Sequence, residues 1–130
     1  MSEEIVANGQ TIFVTGVNGH IGNHIVRDLL AHGYSLKGSV RDLNDPKKVD
    51  HVRQHAIDLG VPERLELVEG DVLDADVWEG HLNGCDGLFH TATVYATSGE
   101  ATTIIDTANL GTQHLFSAAK TCGIQRIVYT

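Results

Sequence analysis

Basic residues and cysteines are both scarce in this sequence. Its 130 residues include 9 Lys and Arg against 17 Asp and Glu, which gives a formal net charge of -8. So acidic a chain argues against a general nucleic-acid binder and against adhesion to anionic lipid. Two cysteines, Cys85 and Cys122, are too few for a disulfide framework. The sequence therefore predicts a cytoplasmic protein in which local donors and a few placed cations hold any anionic ligand.

Long apolar runs are also missing. No stretch approaches the roughly 18 apolar residues that a membrane-spanning helix needs, and the chain begins with the acidic Met-Ser-Glu-Glu. Neither membrane insertion nor export is therefore indicated. With 42% hydrophobic and 20% charged residues, the composition is that of one soluble globular domain with a core of ordinary size.

The sequence does contain a regular alternation of short β-branched runs with longer amphipathic runs. Strands that alternate with helices predict crossover connections, a parallel sheet and helices on both of its faces. Cys85 and Cys122 are predicted to pack as small apolar groups. The predicted strands are 11–15, 34–40, 65–68, 87–90 and 126–129, and a short helix is predicted from Asp74 through Trp78.

Three glycines at a spacing of three residues follow the first strand, in Gly16-Val-Asn-Gly-His-Ile-Gly22. This pattern predicts a strand, a tight phosphate-binding loop and a helix, because a helix start offers N–H donors and partial positive charge. Gly16 would make the turn, Gly19 would let the backbone approach the ligand, and Gly22 would let the helix pack closely on the sheet. The spacing differs from G-x-G-x-x-G, so the loop alone is a weak signal.

Residues suited to a ligand follow four consecutive predicted strands. In strand order they are Gly16, Gly19 and Gly22, then Arg41, then Asp71 and Val72, then Thr91, Ala92 and Thr93. Ligands of parallel sheets bind beyond the carboxyl ends of the strands. The four strand ends together predict a dinucleotide site. The alternative, in which the glycines serve only turns and packing, stays open.

Arg41 favours NADP over NAD as the dinucleotide. NAD sites usually place an acidic side chain at the end of the second strand, where it binds the ribose 2′-hydroxyl and repels a phosphate. Arg41 occupies that place, and a guanidinium can hold a 2′-phosphate bidentately. Lys48, in the first turn of the next helix, would add a second charge. Asp42 leaves NAD open, because its carboxylate could pair with Arg41 or bind the hydroxyl itself.

Eight histidines raise the question of a metal site. His20 and His24 are four residues apart on a predicted helix, as are His51 and His55, but two ligands do not close a zinc site and no other set completes one. We therefore predict exposed helix histidines and no metal. His90, at a buried strand end, is predicted to be a hydrogen-bonded core imidazole rather than an acid or base.

In these motifs the chain resembles the extended short-chain dehydrogenase/reductase family, which includes NAD-dependent epimerases and dehydratases. The resemblance is strongest to its dihydroflavonol reductase-like and cinnamoyl-CoA reductase-like branch. Beyond the glycine loop, the matching segments are 39–42, 70–74, 87–93, 109–112 and 126–130. The resemblance implies an α/β fold of the Rossmann type over residues 1–130, a doubly wound parallel sheet of about five strands in the order 3-2-1-4-5, flanked by helices.

The resemblance also assigns a part of the cofactor to each group of candidate residues. By the resemblance, the glycine loop with Asn18, His20 and Ile21 binds the pyrophosphate, and Arg41 with Lys48 binds the 2′-phosphate. Asp71 and Val72 flank the adenine, and Thr91, Ala92 and Thr93 line the path toward the nicotinamide ribose. One position departs from the family, because His20 stands where a bulky apolar residue such as Phe is usual.

The family's catalytic residues are not found in the sequence. Its chemistry needs a Ser or Thr just after the fifth strand and a Tyr-x-x-x-Lys on the next helix, so that the phenol exchanges a proton with the substrate oxygen. No Tyr-x-x-x-Lys occurs in the 130 residues. We therefore expect the cofactor-binding, amino-terminal half of an NADP-dependent carbonyl reductase, inactive alone. The open alternatives are part of an NAD-dependent sugar-nucleotide epimerase or dehydratase, a non-catalytic dinucleotide-binding module, and a folded chain with no ligand affinity.

A parallel sheet that ends on residues 126–130 has an open strand edge and apolar surface. We therefore expect self-association or marginal stability of the isolated chain, or pairing with a carboxyl-terminal half. No nucleic-acid or membrane partner is expected.

Overall fold

The computed structural model describes residues 7–40, 43–44, 46–70, 77–91, 112–124 and 126–129, except the side chains of Lys48 and Tyr129. Within these ranges, strands and helices alternate along the chain. The elements are β1 (Thr11–Thr15), α1 (His20–Ala31), β2 (Ser35–Val40), α2 (Pro46–Asp58), a 3-10 turn (Pro62–Arg64), β3 (Leu65–Glu69), α3 (Trp78–Leu82), β4 (Gly87–His90), α4 (helical residues 112–121) and β5 (Arg126–Tyr129).

The described strands form one parallel sheet in the order β3-β2-β1-β4-β5. This order confirms the predicted doubly wound fold. β1 lies at the centre, with Thr15 opposite both Ser39 of β2 and His90 of β4. The strand order reverses at β1, because the chain adds β2 and β3 on one side and β4 and β5 on the other. Ligands of such sheets bind at this reversal, beyond the carboxyl ends of the strands.

Two hydrophobic cores cover the two faces of the sheet. Successive side chains of a strand point to opposite faces, so Val14 joins a core with α1 and α2 whereas Phe13 joins a core with α3 and α4. Both side chains are 0% exposed. Cys85 is buried in the second core and Cys122 packs against it, as predicted, and the two thiols also donate to the His81 and Glu79 carbonyls. Burial on both faces fixes the position of β1 and of the loop that follows it.

Trp78 is a core residue, as predicted, but its helix begins where the sequence predicts an end. α3 starts at Trp78 and continues to Leu82, whereas the predicted cap, Asp74, lies outside the described residues. The Trp78 ring meets Phe13 edge to face with ring centroids 5.8 Å apart. A Cβ on Gly70 would lie 3.0 Å from the same ring. The indole therefore packs against β1 and against the residue that follows β3.

The outer strand of the described sheet carries exposed apolar side chains. β5 pairs with β4 and forms one edge of the sheet. Ile127 is 39% exposed and Val128 is 44% exposed. None of the described helices has the length and apolar character needed to cross a membrane.

Candidate functional site

The glycine loop takes the chain from β1 into α1 within four residues. Gly16 has a φ of +66°, a left-handed conformation that side chains disfavour, and so makes the turn that the sequence predicts for it. The Gly19 N–H donates to the Gly16 carbonyl over 3.0 Å, and the Val17 N–H donates to the Ser39 carbonyl over 3.1 Å. The loop is therefore tied both to itself and to the end of β2.

Gly22 lies at the closest approach between α1 and the loop. A Cβ on Gly22 would lie 2.2 Å from the Gly16 carbonyl oxygen and 3.1 Å from the Thr91 hydroxyl oxygen. The third glycine therefore lets the helix approach the backbone of the loop and the end of β4, a more specific contact than the predicted packing on the sheet. Gly19 is less crowded, because its Cβ would lie 3.3 Å from the Gly16 carbonyl oxygen.

The first turn of α1 contains backbone N–H groups that have no partner within the helix. The Asn23 N–H donates to the Gly19 carbonyl, so the N–H groups of His20, Ile21 and Gly22 precede the first intrahelical bond. Gly19 caps the helix without a side-chain bond, and the first turn holds no acidic residue. The positive end of the helix dipole is thus available to an anion at the strand reversal.

Thr15, the last residue of β1, links the loop to β4. Its hydroxyl accepts the Thr91 backbone N–H over 3.0 Å and lies 2.8 Å from Nδ1 of His90. The Thr91 hydroxyl donates in turn to the Thr15 carbonyl. Thr15 and His90 are 0% and 2% exposed. Because the Thr91 hydroxyl also faces Gly22, this network sets the distance between the end of β4 and the glycine loop.

His90 is the hydrogen-bonded core imidazole that the sequence predicts. Nδ1 of His90 and the Thr15 hydroxyl form a buried hydrogen bond over 2.8 Å, and the same hydroxyl accepts the Thr91 N–H. Nε2 lies 3.4 Å from the Thr112 hydroxyl oxygen. Burial lowers the pKa of His90 to about 4. The ring is therefore neutral at pH 7, and its role is to join β1, β4 and α4.

Stability is expected to fall in mild acid because of His90. The histidine pKa is 6.5 ordinarily and about 4 in the folded chain, so between these values the unfolded chain binds a proton that the folded chain does not. This pKa difference stabilises the folded chain by at most about 3 kcal/mol. The stabilisation is fully present above pH 6.5 and is lost as the pH falls toward 4. Urea unfolding near pH 7 and near pH 4.5 measures this loss. Between these two pH values, the free energy of unfolding should fall by about 2 kcal/mol less in His90→Gln than in the wild type. Equal losses in the two proteins would contradict a lowered pKa of His90.

The histidines of α1 and α2 have protein partners in the described chain. His20, His24 and His51 are exposed and His55 is half-buried. The rings of His20 and His24 meet edge to face, with centroids 5.3 Å apart. Among the residues that the structure describes, no group of three or more His, Cys, Asp or Glu could hold a metal ion. His51 and His55 instead form hydrogen bonds to the glycine loop and to α1.

The structure brings together part of the predicted cofactor site. Residues 16–22 and Thr91 lie together at the carboxyl ends of β1 and β4. Lys48 lies in the first turn of α2, and its side chain is outside the described part of the chain. The remaining predicted residues, Arg41, Asp71, Val72, Ala92 and Thr93, lie outside the described ranges.

The site predicted from the sequence does not include Thr15, Asn23 or His51. A hydroxyl at the end of an otherwise apolar strand is a signal that could have pointed to Thr15, because a buried hydroxyl needs hydrogen-bond partners. The contact of His51 joins residues 33 positions apart in the sequence, and no spacing rule predicts it. The role of Asn23 at the site also depends on the packing of α2 on α1, which the sequence does not show.

A polar groove lies at the other end of the sheet, near the start of the strands. Its lining includes Thr11, Ser35, Lys37, Arg64 and Glu66. An anion in this groove would meet a carboxylate as well as cations. The glycine loop is therefore the stronger candidate site for a phosphate.

A doubly wound parallel sheet with a glycine loop at its strand reversal defines a Rossmann-type fold. The sequence pattern of the NAD dependent epimerase/dehydratase family matches residues 12–130. The chain therefore belongs to the NAD dependent epimerase/dehydratase family, as its motifs predict.

The relatives include both reductases and epimerases. Cinnamoyl-CoA reductase 1 of Petunia hybrida is 37% identical over 123 residues, covering 95% of this chain and 35% of the relative. The structure of vestitone reductase from alfalfa is 26% identical with a TM-score of 0.70, and the match covers 92% of this chain and 35% of the reductase. UDP-glucose 4-epimerase from Bifidobacterium longum, solved with NAD+ and UDP, is 25% identical with a TM-score of 0.75. This match covers 93% of this chain and 36% of the epimerase. The chain thus spans about a third of the length of these relatives.

Proposed function

We propose that this chain is the cofactor-binding part of an NADP-dependent carbonyl reductase of the dihydroflavonol reductase-like type. The glycine loop binds the pyrophosphate of NADP(H), and Asn18, His20 and Ile21 belong to that site. The observation that supports the proposal most is the close approach at Gly22. A Cβ added there would lie 2.2 Å from the Gly16 carbonyl oxygen. Only a glycine there allows the loop to fold against the first turn of α1, where the backbone donors lie.

The remaining cofactor contacts are proposed by position. Thr91 follows β4 and faces Gly22, which suits a residue on the path to the nicotinamide ribose. We assign the same path to Ala92 and Thr93, which follow Thr91 in the sequence. Asp71 and Val72 follow β3 closely and are proposed to flank the adenine.

The 2′-phosphate of NADP is assigned to Arg41 and Lys48. Arg41 directly follows Val40, the last residue of β2, and the β2 end lies beside the glycine loop through the bond between Val17 and Ser39. A guanidinium pairs with a phosphate through two parallel bonds. Lys48 adds a second positive charge from the first turn of α2.

Removal of the Arg41 side chain is expected to weaken NADPH binding and to leave NADH binding unchanged. Loss of charge-assisted hydrogen bonds to the 2′-phosphate should raise the NADPH Kd by roughly 10- to 100-fold. Calorimetric titration of wild-type and Arg41→Ala protein with both nucleotides measures the effect. Arg53→Ala is the matched control, because Arg53 is an exposed arginine on α2 and its loss changes the net charge equally. Unchanged NADPH affinity in Arg41→Ala would show that the 2′-phosphate assignment is wrong.

The activity of the whole reductase is also a proposal. When bound, the nicotinamide supplies or accepts the hydride. The residues of this chain bind the cofactor, orient it through the ends of β1 and β4, and keep His90 neutral. The 130 residues contain no Tyr-x-x-x-Lys, so we assign no proton transfer to them and expect cofactor binding without carbonyl turnover in the cytoplasm.

A second candidate function is that of an NAD-dependent sugar-nucleotide epimerase or dehydratase. The likeness to UDP-glucose 4-epimerase, whose structure contains NAD+ and UDP, favours it. Tighter binding of NADH than of NADPH by the wild-type chain would support this candidate over the reductase.

Two further candidates are separated by the effect of NADPH on unfolding. A ligand that binds only the folded chain raises the melting temperature. A clear rise without carbonyl turnover fits either the cofactor-binding part of an enzyme or a non-catalytic dinucleotide-binding module. No rise at millimolar NADPH would instead favour a folded chain without ligand affinity.

We also propose that the isolated chain self-associates through β5, unless a carboxyl-terminal half pairs with it. Exposed apolar side chains on a strand edge promote pairing between chains, and Val128 is 44% exposed. Sedimentation velocity should show species larger than a monomer, and Val128→Lys should shift them toward the monomer. Ile57→Lys is the control, because Ile57 is 56% exposed on α2, far in sequence from β5. A wild-type chain that stays monomeric would contradict the proposal.

A further inference from the structure

Hydrogen bonds between α2 and the glycine loop assign a role to two histidines outside the proposed cofactor contacts. We infer that His51 and His55 are positioning residues that hold the phosphate-binding peptide units of the loop in place. They also connect those units to α2. The inference rests on the proposed binding of a dinucleotide at this loop.

His51 bonds the loop directly. Its Nε2 lies 3.3 Å from the carbonyl oxygen of Asn18, and a carbonyl oxygen only accepts, so the imidazole donates. Asn18 stands between Gly16 and Gly19 in the loop. The peptide unit that begins with the Asn18 carbonyl ends with the Gly19 N–H, which donates to the Gly16 carbonyl. His51 therefore holds the central peptide unit of the turn from its outer side.

His55 acts on the loop through Asn23. Nε2 of His55 lies 3.2 Å from Oδ1 of Asn23. Nδ2 of Asn23 donates to the Gly19 carbonyl over 2.6 Å and to the His20 carbonyl over 3.0 Å. The amide oxygen thus accepts from the histidine while the amide nitrogen serves both carbonyls, which is a consistent set of donors and acceptors.

These bonds orient the donors that a phosphate would meet. The carbonyl and the N–H of a trans peptide unit point in opposite directions within one plane. A fixed Gly19 carbonyl therefore fixes the His20 N–H, and a fixed His20 carbonyl fixes the Ile21 N–H. These two N–H groups precede the intrahelical bonds of α1. His51 thus bonds the Asn18 carbonyl directly, whereas His55 acts on the Gly19 and His20 carbonyls through the Asn23 amide.

The charge state of His55 agrees with this role. Burial lowers the pKa of His55, and the positive charge of Arg27 lowers it further, as do His24 and His51, while Asp58 raises it. The ring is therefore mainly neutral at pH 7, with its hydrogen on the nitrogen that faces Asn23. A neutral imidazole with its hydrogen on Nε2 can donate to Oδ1 of Asn23.

The same helix links the two ends of the proposed cofactor site. Lys48 lies three residues before His51 on α2, a rise of about 4.5 Å along the helix. A 2′-phosphate bound near Lys48 and a pyrophosphate bound at the loop are therefore joined by one rigid element. The loop carbonyls and the start of α2 keep a fixed separation as long as both histidines donate.

The test compares two double variants by titration with NADPH near pH 7. The alanine variant carries His51→Ala and His55→Ala, and the glutamine variant carries His51→Gln and His55→Gln. The alanine variant should bind NADPH about ten-fold more weakly. The glutamine variant should recover most of this loss, because its Nε2 stands as many bonds from the backbone as the histidine Nε2. Gln54→Ala is the control, since Gln54 bonds Asp58 within α2 and should leave the affinity unchanged.

The outcomes separate this inference from the proposed function. Weaker binding by the alanine variant at an unchanged melting temperature, with altered ¹⁵N–¹H shifts of His20 and Ile21 and recovery by glutamine, supports the positioning role. Wild-type affinity in the alanine variant overturns it and leaves the proposed function intact. Absence of NADPH binding by the wild-type chain overturns both. If the double variant unfolds, His51→Ala alone decides, because that side chain is exposed.

Discussion

Gly22→Ala is expected to eliminate measurable dinucleotide binding and to destabilise the fold. The added Cβ would lie 2.2 Å from the Gly16 carbonyl oxygen and 3.0 Å from its carbonyl carbon. These are backbone atoms of a short loop fixed at both ends, so they cannot move aside as a flexible side chain would. We expect the free energy of unfolding to fall by about 3 kcal/mol. We expect the NADPH Kd to rise on the order of 100-fold, because displaced loop donors no longer fit a pyrophosphate.

Gly80→Ala is the matched control for this prediction. Gly80 lies within α3, and a Cβ there would meet nothing within 4 Å. Alanine is the better helix former, so this substitution should leave binding unchanged and raise stability by up to about 1 kcal/mol. Urea unfolding and NADPH titration of both variants give the comparison. Wild-type stability and binding in Gly22→Ala would show that the loop does not depend on the close approach at Gly22.

Thr15→Val is expected to destabilise the chain by about 3 kcal/mol while keeping the shape of the side chain. The buried Thr15 hydroxyl accepts from the Thr91 N–H and forms a second hydrogen bond with His90 Nδ1. Valine removes both bonds and places a methyl group against polar atoms. The end of β4 should then shift relative to the glycine loop, with an NADPH Kd raised about ten-fold.

A surface threonine provides the comparison for Thr15. Thr121 is exposed and its hydroxyl donates to the Ser117 carbonyl over 3.1 Å. Thr121→Val should change the free energy of unfolding by no more than about 0.5 kcal/mol. Chemical denaturation of the two valine variants measures the difference. Equal stabilities would mean that the buried network around His90 contributes little to the fold.

The fold could be predicted because its signals are periodic and local. Strands buried on both faces appear as short apolar runs, and the helices between them carry apolar residues at helical spacing. The turn at Gly16 was predictable for a related reason, since a sharp strand-to-helix turn needs a residue that adopts a positive φ. Strand order followed from the family resemblance, and the register of β1 between β2 and β4 agrees with it.

Contacts between distant residues could not be predicted from these patterns. Thr15 and His90 are 75 positions apart, and nothing in either local sequence selects the other as a partner. The predicted end of this short helix at Trp78 was wrong, because α3 continues from Trp78 to Leu82. Trp78 packs against Phe13, a residue from the first strand, and the local cap signal at Asp74 carries no information about that contact. Tertiary packing decides such short elements more than propensity does.

The dinucleotide site at the glycine loop is tested most directly by ¹⁵N–¹H spectra of the chain during titration with NADPH. We predict saturable shift changes that are largest at residues 19–22 and at Thr91, with little change at Lys37 and Arg64 in the groove at the other end of the sheet. No saturable change at the loop up to millimolar NADPH, or changes confined to that groove, would contradict the proposed site.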